Sequence, residues 1–158
     1  DEESSQGSIA AEVVERLQHE LTYVVGPGTT TARIMNRLSL EYTLVGVDLI
    51  RNRALVANDA SERDLLSFVD AGPTKIIVTP IGGQGYLFGR GNQQISARVL
   101  QTVGRDNILV VATPEKLSAL RGRPMLIDTG DSDVDAALCG YYKVVTGYRA
   151  ESIYRATC

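Results

Sequence analysis

Short, unbroken apolar runs alternate with helical patterns along this chain, and that alternation leaves few folds open. Leu21–Val25, Tyr42–Leu49, Lys75–Thr79, Asn107–Ala112, Pro124–Asp128 and Lys143–Thr146 read as strands. Ala54–Ala57 reads as a short extension or hairpin. Between them, Thr30–Leu38 and the segments opened by Asp59, Ser96, Thr113-Pro114 and Asp131 carry helical spacing or helix-start residues. Asp59 with Glu62 predicts a capping box, and Gly72-Pro73 and Gly104 predict helix ends. Strands that are apolar throughout, without in-and-out alternation, are buried on both faces. The expected fold is therefore α/β: a mostly parallel sheet flanked by helices, doubly wound and Rossmann-like.

Ahead of this pattern, Ile9, Val13, Leu17 and Leu21 recur every four residues, one face of a helix ending near Glu20. Residues 1–8 are polar and acidic and read as a linker remnant, leaving 9–158 as one α/β domain. The chain opens on Asp1 and not on methionine, which reads as a trimmed boundary of a larger protein.

Composition narrows function. The chain has 158 residues, enough for one domain that buries roughly 70% of its unfolded surface without a staple. Net charge is −3 and no basic run occurs, so a nucleic-acid partner has no electrostatic footprint. The two cysteines, Cys139 and Cys158, do not suggest a secreted disulfide framework, and a single histidine, His19, leaves no metal-ligand spacing. His19 reads as an exposed residue near a helix end. No apolar segment is long enough for a membrane span, so a cytoplasmic protein is expected.

In open α/β sheets, ligands bind beyond the carboxyl ends of the strands, and the unusual residues of this sequence fall there. Gly26-Pro27-Gly28-Thr29-Thr30-Thr31 joins a strand to a helix. Glycine permits close backbone approach, the helix presents free N–H groups, and threonine adds hydroxyls; Gly26, Gly28, Thr29 and Thr30 are phosphate-binding candidates. A tight turn with a threonine cap explains the same residues. The second run, Thr79 to Gln94, has five glycines between positions 82 and 91. It exceeds the about 2–6 residues of an ordinary connection. Gly82, Gly83, Gln84 and Gly85 supply backbone donors, Arg90 a bidentate fork, and Asn92 and Gln93 amides for a base or ribose edge. Neither a Walker loop nor the dinucleotide glycine fingerprint is present. The alternative here is a glycine-rich hairpin with exposed polar groups. Asp48 and Asp128 close strands, and carboxylates there can hold ribose hydroxyls, a magnesium ion or a proton. Asp131 reads as a helix cap, and Tyr148 and Arg149 as packing and solvated groups.

Tyr23–Thr30, Thr43–Asp48, Val78–Gly85, Gly89–Ser96 and Asp128–Asp131, in that order, resemble the C-terminal half of the ATP-NAD kinase family, in its branch of polyphosphate- or ATP-dependent NAD kinases. The resemblance runs from about Ile9 to Arg149. It implies phosphoryl transfer to the 2′-hydroxyl of NAD, with Mg2+ and ATP or polyphosphate in the intact protein. It further implies an N-terminal domain carrying a Gly-Gly-Asp-Gly-Thr signature and a homo-oligomer. This chain lacks that signature. Gly82-Gly83-Gln84-Gly85 is similar in outline, but glutamine cannot accept the proton, so no catalytic residue is carried over and the fragment alone is expected to be inactive. Better-known relatives resemble one another in a β-rich C-terminal domain, whereas the pattern here is α/β. The Gly26–Thr31 loop also resembles those of sugar-phosphate isomerases and deaminases. An enzyme of that class, with Asp48 or Asp128 as acid/base, and a non-catalytic phosphate-sensing module both stay open.

Overall fold

A computed structural model describes all 158 residues. The strands are β1 (Thr22–Val25), β2 (Asp48–Arg51), β3 (Ala54–Ala57), β4 (Thr74–Val78), β5 (Tyr86–Phe88), β6 (Ile108–Val111), β7 (Met125–Ile127), β8 (Gly140–Gly147) and β9 (Ala150–Thr157). The helices are α1 (Glu2–Arg16), α2 (Thr29–Arg37), α3 (Glu62–Ala71), α4 (Ala97–Val103), α5 (Pro114–Ala119) and α6 (Ser132–Leu138).

The nine strands form one sheet in the order β3-β2-β1-β4-β6-β8-β9-β7-β5. β1, β4, β6 and β8 run parallel, and so do β9, β7 and β5. β2, β3 and the β8–β9 pairing are antiparallel. The mostly parallel, helix-flanked α/β sheet predicted from the apolar runs is the one observed.

Alternate residues of each strand feed two cores. Tyr23, Val25, Ile77, Val111 and Val145 meet Ile9, Ala10 and Val13 of α1 and Ile34 and Met35 of α2 on one face. Val24, Ile76, Val78, Val110 and Val144 meet α3, α4 and α6 on the other. Each fully buried isoleucine or valine there contributes about 1.5–3 kcal/mol.

Local chemistry explains where the sequence reading departs from this fold. Residues 2–8, expected as linker, are the first turns of α1, because the Asp1 carboxylate accepts the Ser4 N–H at 2.8 Å and caps the helix. α1 ends at Arg16, four residues short of expectation. Tyr42–Val47 is loop, not strand. The Asp48 carboxylate takes the Thr43 N–H at 2.8 Å and the Thr43 hydroxyl at 2.7 Å, tying the segment into a turn before any ladder forms. Asn52 and Arg53 then adopt positive φ and close the β2–β3 hairpin. α3 is capped by Ser61 paired with Asp64, not by Asp59 with Glu62. The last strand is longer than Lys143–Thr146 and turns through Tyr148-Arg149 into β9, which the sequence reading missed. Cys139 and Cys158, distant in sequence, are joined in a disulfide with Cα atoms 6.1 Å apart.

Candidate functional site

After β1 the chain passes to α2 on one face of the sheet; after β4 it runs through the edge strand β5 before reaching α4 on the other. Neighbouring parallel strands whose connections leave to opposite faces open a crevice between their carboxyl ends. A cavity of about 360 Å3 lies there, lined by Pro27–Thr30 after β1 and Thr79–Gly82 after β4. Leu44, Val45, Gly91, Lys116 and Glu2 complete its wall. That volume suits a small organic ligand.

The floor is the start of α2. Gly28 sits at the N-cap with φ 128° and no side-chain cap, so the first-turn N–H groups of the helix are left for a ligand. A Cβ at Gly28 would come within 2.9 Å of the Thr79 side chain. The Gln6 side-chain amide donates to the Thr29 hydroxyl oxygen at 3.0 Å and to that of Thr30 at 3.3 Å. A hydroxyl that accepts in this way keeps its own proton free to donate. Thr31 is spent internally on the Gly26 carbonyl at 2.7 Å.

Lys116, from the first turn of α5, donates from Nζ to the Gly82 carbonyl at 2.9 Å. Thr113 positions it by capping α5 ahead of Pro114. On the rim, Val45 is 82% exposed beside half-exposed Leu44. The Leu44 carbonyl accepts the Gly28 N–H at 3.1 Å, which fixes this apolar edge to the floor.

Of the residues singled out from sequence, the fold brings Gly28, Thr29, Thr30 and Gly82 to one cavity. Gly26 lies under it, with its N–H on the Ile77 carbonyl at 2.9 Å. Gly83, Gln84 and Arg90 line a neighbouring hollow that shares Ile81 and Gly82 with it; Arg90 stacks there on the Tyr86 ring at 4.7 Å. Gly85 packs on Leu120. Gly89 serves chain crossing: a Cβ there would fall 1.8 Å from the Asp128 carbonyl oxygen. Asn92 is fully buried, donates to the Leu87 carbonyl at 2.9 Å and leaves Oδ1 without a partner; Gln93 is exposed on the same loop. Asp48 is buried, its carboxylate taken by Thr43 and the Asp59 N–H at 3.0 Å. Asp128 is exposed where β7 ends, and neither aspartate lines the cavity. His19 borders a notch of about 10 Å3, room for no more than a water.

Sequence reasoning missed Gln6, Leu44, Val45 and Lys116. Only Lys116 carried a readable signal, as a cation one turn into a helix that follows a buried strand.

The residues present do not form a magnesium cage. Glu2 is the one carboxylate on the cavity wall, and no three histidine, cysteine, aspartate or glutamate side chains converge. No helix is long and apolar enough to cross a membrane.

The fold and crevice define an α/β domain with a small-molecule-sized cavity at the carboxyl ends of its parallel strands. The family model described as the ATP-NAD kinase C-terminal domain matches residues 18–156. The chain belongs to that family and is an NAD kinase domain, of the kinase and transferase class that serves NADP biosynthesis. No curated protein and no solved structure matches it.

Proposed function

We propose that this domain holds a nucleotide for an NAD kinase, with the phosphate on the start of α2 and the ring on Leu44 and Val45. The observation that carries this reading is convergence. Helix N–H groups, two hydroxyls oriented by Gln6, and Lys116 face one cavity whose rim is apolar. The N–H groups and hydroxyls donate to phosphate oxygens, and Lys116 exchanges the Gly82 carbonyl for a charged acceptor. The rim removes the ring from water. NAD is the acceptor and ATP or polyphosphate the donor in the intact cytoplasmic enzyme. Magnesium enters on the donor's phosphates and supplies charge neutralisation there. Asp48 and Asp128, the acid/base candidates of the isomerase alternative, are not on the cavity wall, which favours the kinase reading over that alternative.

Calorimetric titration of the chain with NAD, ATP and tripolyphosphate tests this. Saturable binding of a nucleotide that Lys116→Ala weakens supports it. No binding of any of the three, or binding that Lys116→Ala leaves untouched, sinks it.

A further inference from the structure

The helices that cover the first face of the sheet stop short. α1 and α2 pack over β1, β4, β6 and the end of β8. Register fixes which residues continue that face beyond them. Lys143 pairs with Ile153, and Tyr141 with Arg155, so these four side chains point to the side of Val145 and away from Val144. Leu126 of β7 and Tyr86 of β5 extend the same face to the sheet edge. Tyr141 is 65% exposed and Ile153 62%. The central strands β1, β4 and β6 are covered on both sides, whereas this part of the sheet leaves one face bare.

The patch has a definite chemistry. Apolar and cationic residues alternate as a checkerboard: Tyr141 beside Arg155, Ile153 beside Lys143, and Tyr86 under the Arg90 guanidinium at 4.7 Å. The carboxylate at its border, Glu151, is already paired with Arg16 of α1 at 3.2 Å. The patch is therefore positive on a chain of net charge −3.

We infer that the bare face of β8, β9, β7 and β5 is the docking surface for the kinase's N-terminal domain, which covers it with an amphipathic helix flanked by acidic residues. The family is a C-terminal domain, so such a partner is implied. The helix continues the layer that α1 and α2 begin, its apolar stripe on Tyr141, Ile153 and Leu126 and its carboxylates on Lys143 and Arg155. A second copy packed two-fold on this face uses the same patch on both sides, so two cationic surfaces meet and like-charge repulsion opposes the contact. The inference rests on family membership and not on the cavity, so nucleotide binding and docking succeed or fail separately.

Hydroxyl-radical footprinting compares Tyr141 in this chain with Tyr141 in the kinase containing its N-terminal domain, and Tyr42 serves as the reference. Tyr141 oxidation should fall about fivefold or more in the two-domain protein, as for a residue at an interface core. Lys143→Glu with Arg155→Glu should return it to the isolated-chain rate, with the circular dichroism spectrum unchanged. Equal oxidation in the two proteins overturns the inference. So does protection that arises in this chain alone and grows with its concentration, which would assign the face to self-association. Protection that the charge reversals leave intact overturns the acidic-helix partner.

Discussion

Lys116 Nζ donates to the Gly82 carbonyl at 2.9 Å, joining α5 to the turn that roofs the cavity. A neutral carbonyl is a weaker acceptor than a phosphate oxygen, so a bound phosphate draws the ammonium away. Lys116→Ala should weaken nucleotide binding about tenfold, the worth of one charge-assisted hydrogen bond. The side chain is only half-buried, so the thermal midpoint should barely move. Calorimetry and a melting curve on the same sample check both.

Gly28 and Gly89 should fail differently. Gly28→Ala places a methyl group in a left-handed conformation and within 2.9 Å of Thr79 on the cavity floor. We expect a loss of about 1–3 kcal/mol in urea unfolding together with lost phosphate binding. At Gly89 a Cβ would stand 1.8 Å from a backbone oxygen that cannot yield. Gly89→Ala should therefore cost more stability than Gly28→Ala, or give no soluble protein at all.

Glu12 supplies a pH dependence. Its carboxylate accepts from Arg16 at 2.6 Å and from the Arg149 N–H at 2.8 Å, locking α1 to the β8–β9 turn. The hydrogen bond from Arg16, and then that from Arg149, hold its carboxyl below the ordinary value of 4.5. A carboxyl lowered on folding stabilises the fold above its unfolded pKa. That contribution is lost as pH falls through the folded value. Glu12→Gln should thus be less stable than the parent at pH 7, and the two should converge in acid. Midpoints measured from pH 7 to pH 3 give the answer; a gap constant across that range would contradict it.

The Cys139–Cys158 bridge closes a loop of sequence separation 19. On the chain-entropy account a loop of this length contributes about 3 kcal/mol. Cys139→Ser should lose up to that amount in denaturant. Reductant should bring the parent down to the variant and leave the variant unchanged.

Much of the scaffold was readable because contiguous apolar runs mark strands buried on both faces, as at Ile76-Ile77-Val78 and Ile108–Val111. The helix caps Ser96, Thr113 and Asp131 were equally plain, since each is a side chain acting on its own next turn. What escaped depends on distant partners. β9 mixes polar and apolar residues without a regular period, and its place in the sheet comes from pairing with β8 and β7, not from its own composition. The long glycine run looked like a single ligand loop. In three dimensions it divides: Gly82 and Gly91 face the cavity, while Gly85 and Gly89 make room for neighbours. Asp48 looked available at a strand end because nothing local announces that Thr43 and Asp59 fold back upon it.

The Gln6 contact alters how the amino-terminal residues should be treated in any shortened version of this protein. Removing the first seven or eight of them for convenience would delete the amide that orients Thr29 and Thr30. The sheet would survive such trimming, but the two hydroxyls would turn freely, and a binding assay on the shortened protein would report a loss that belongs to the deletion.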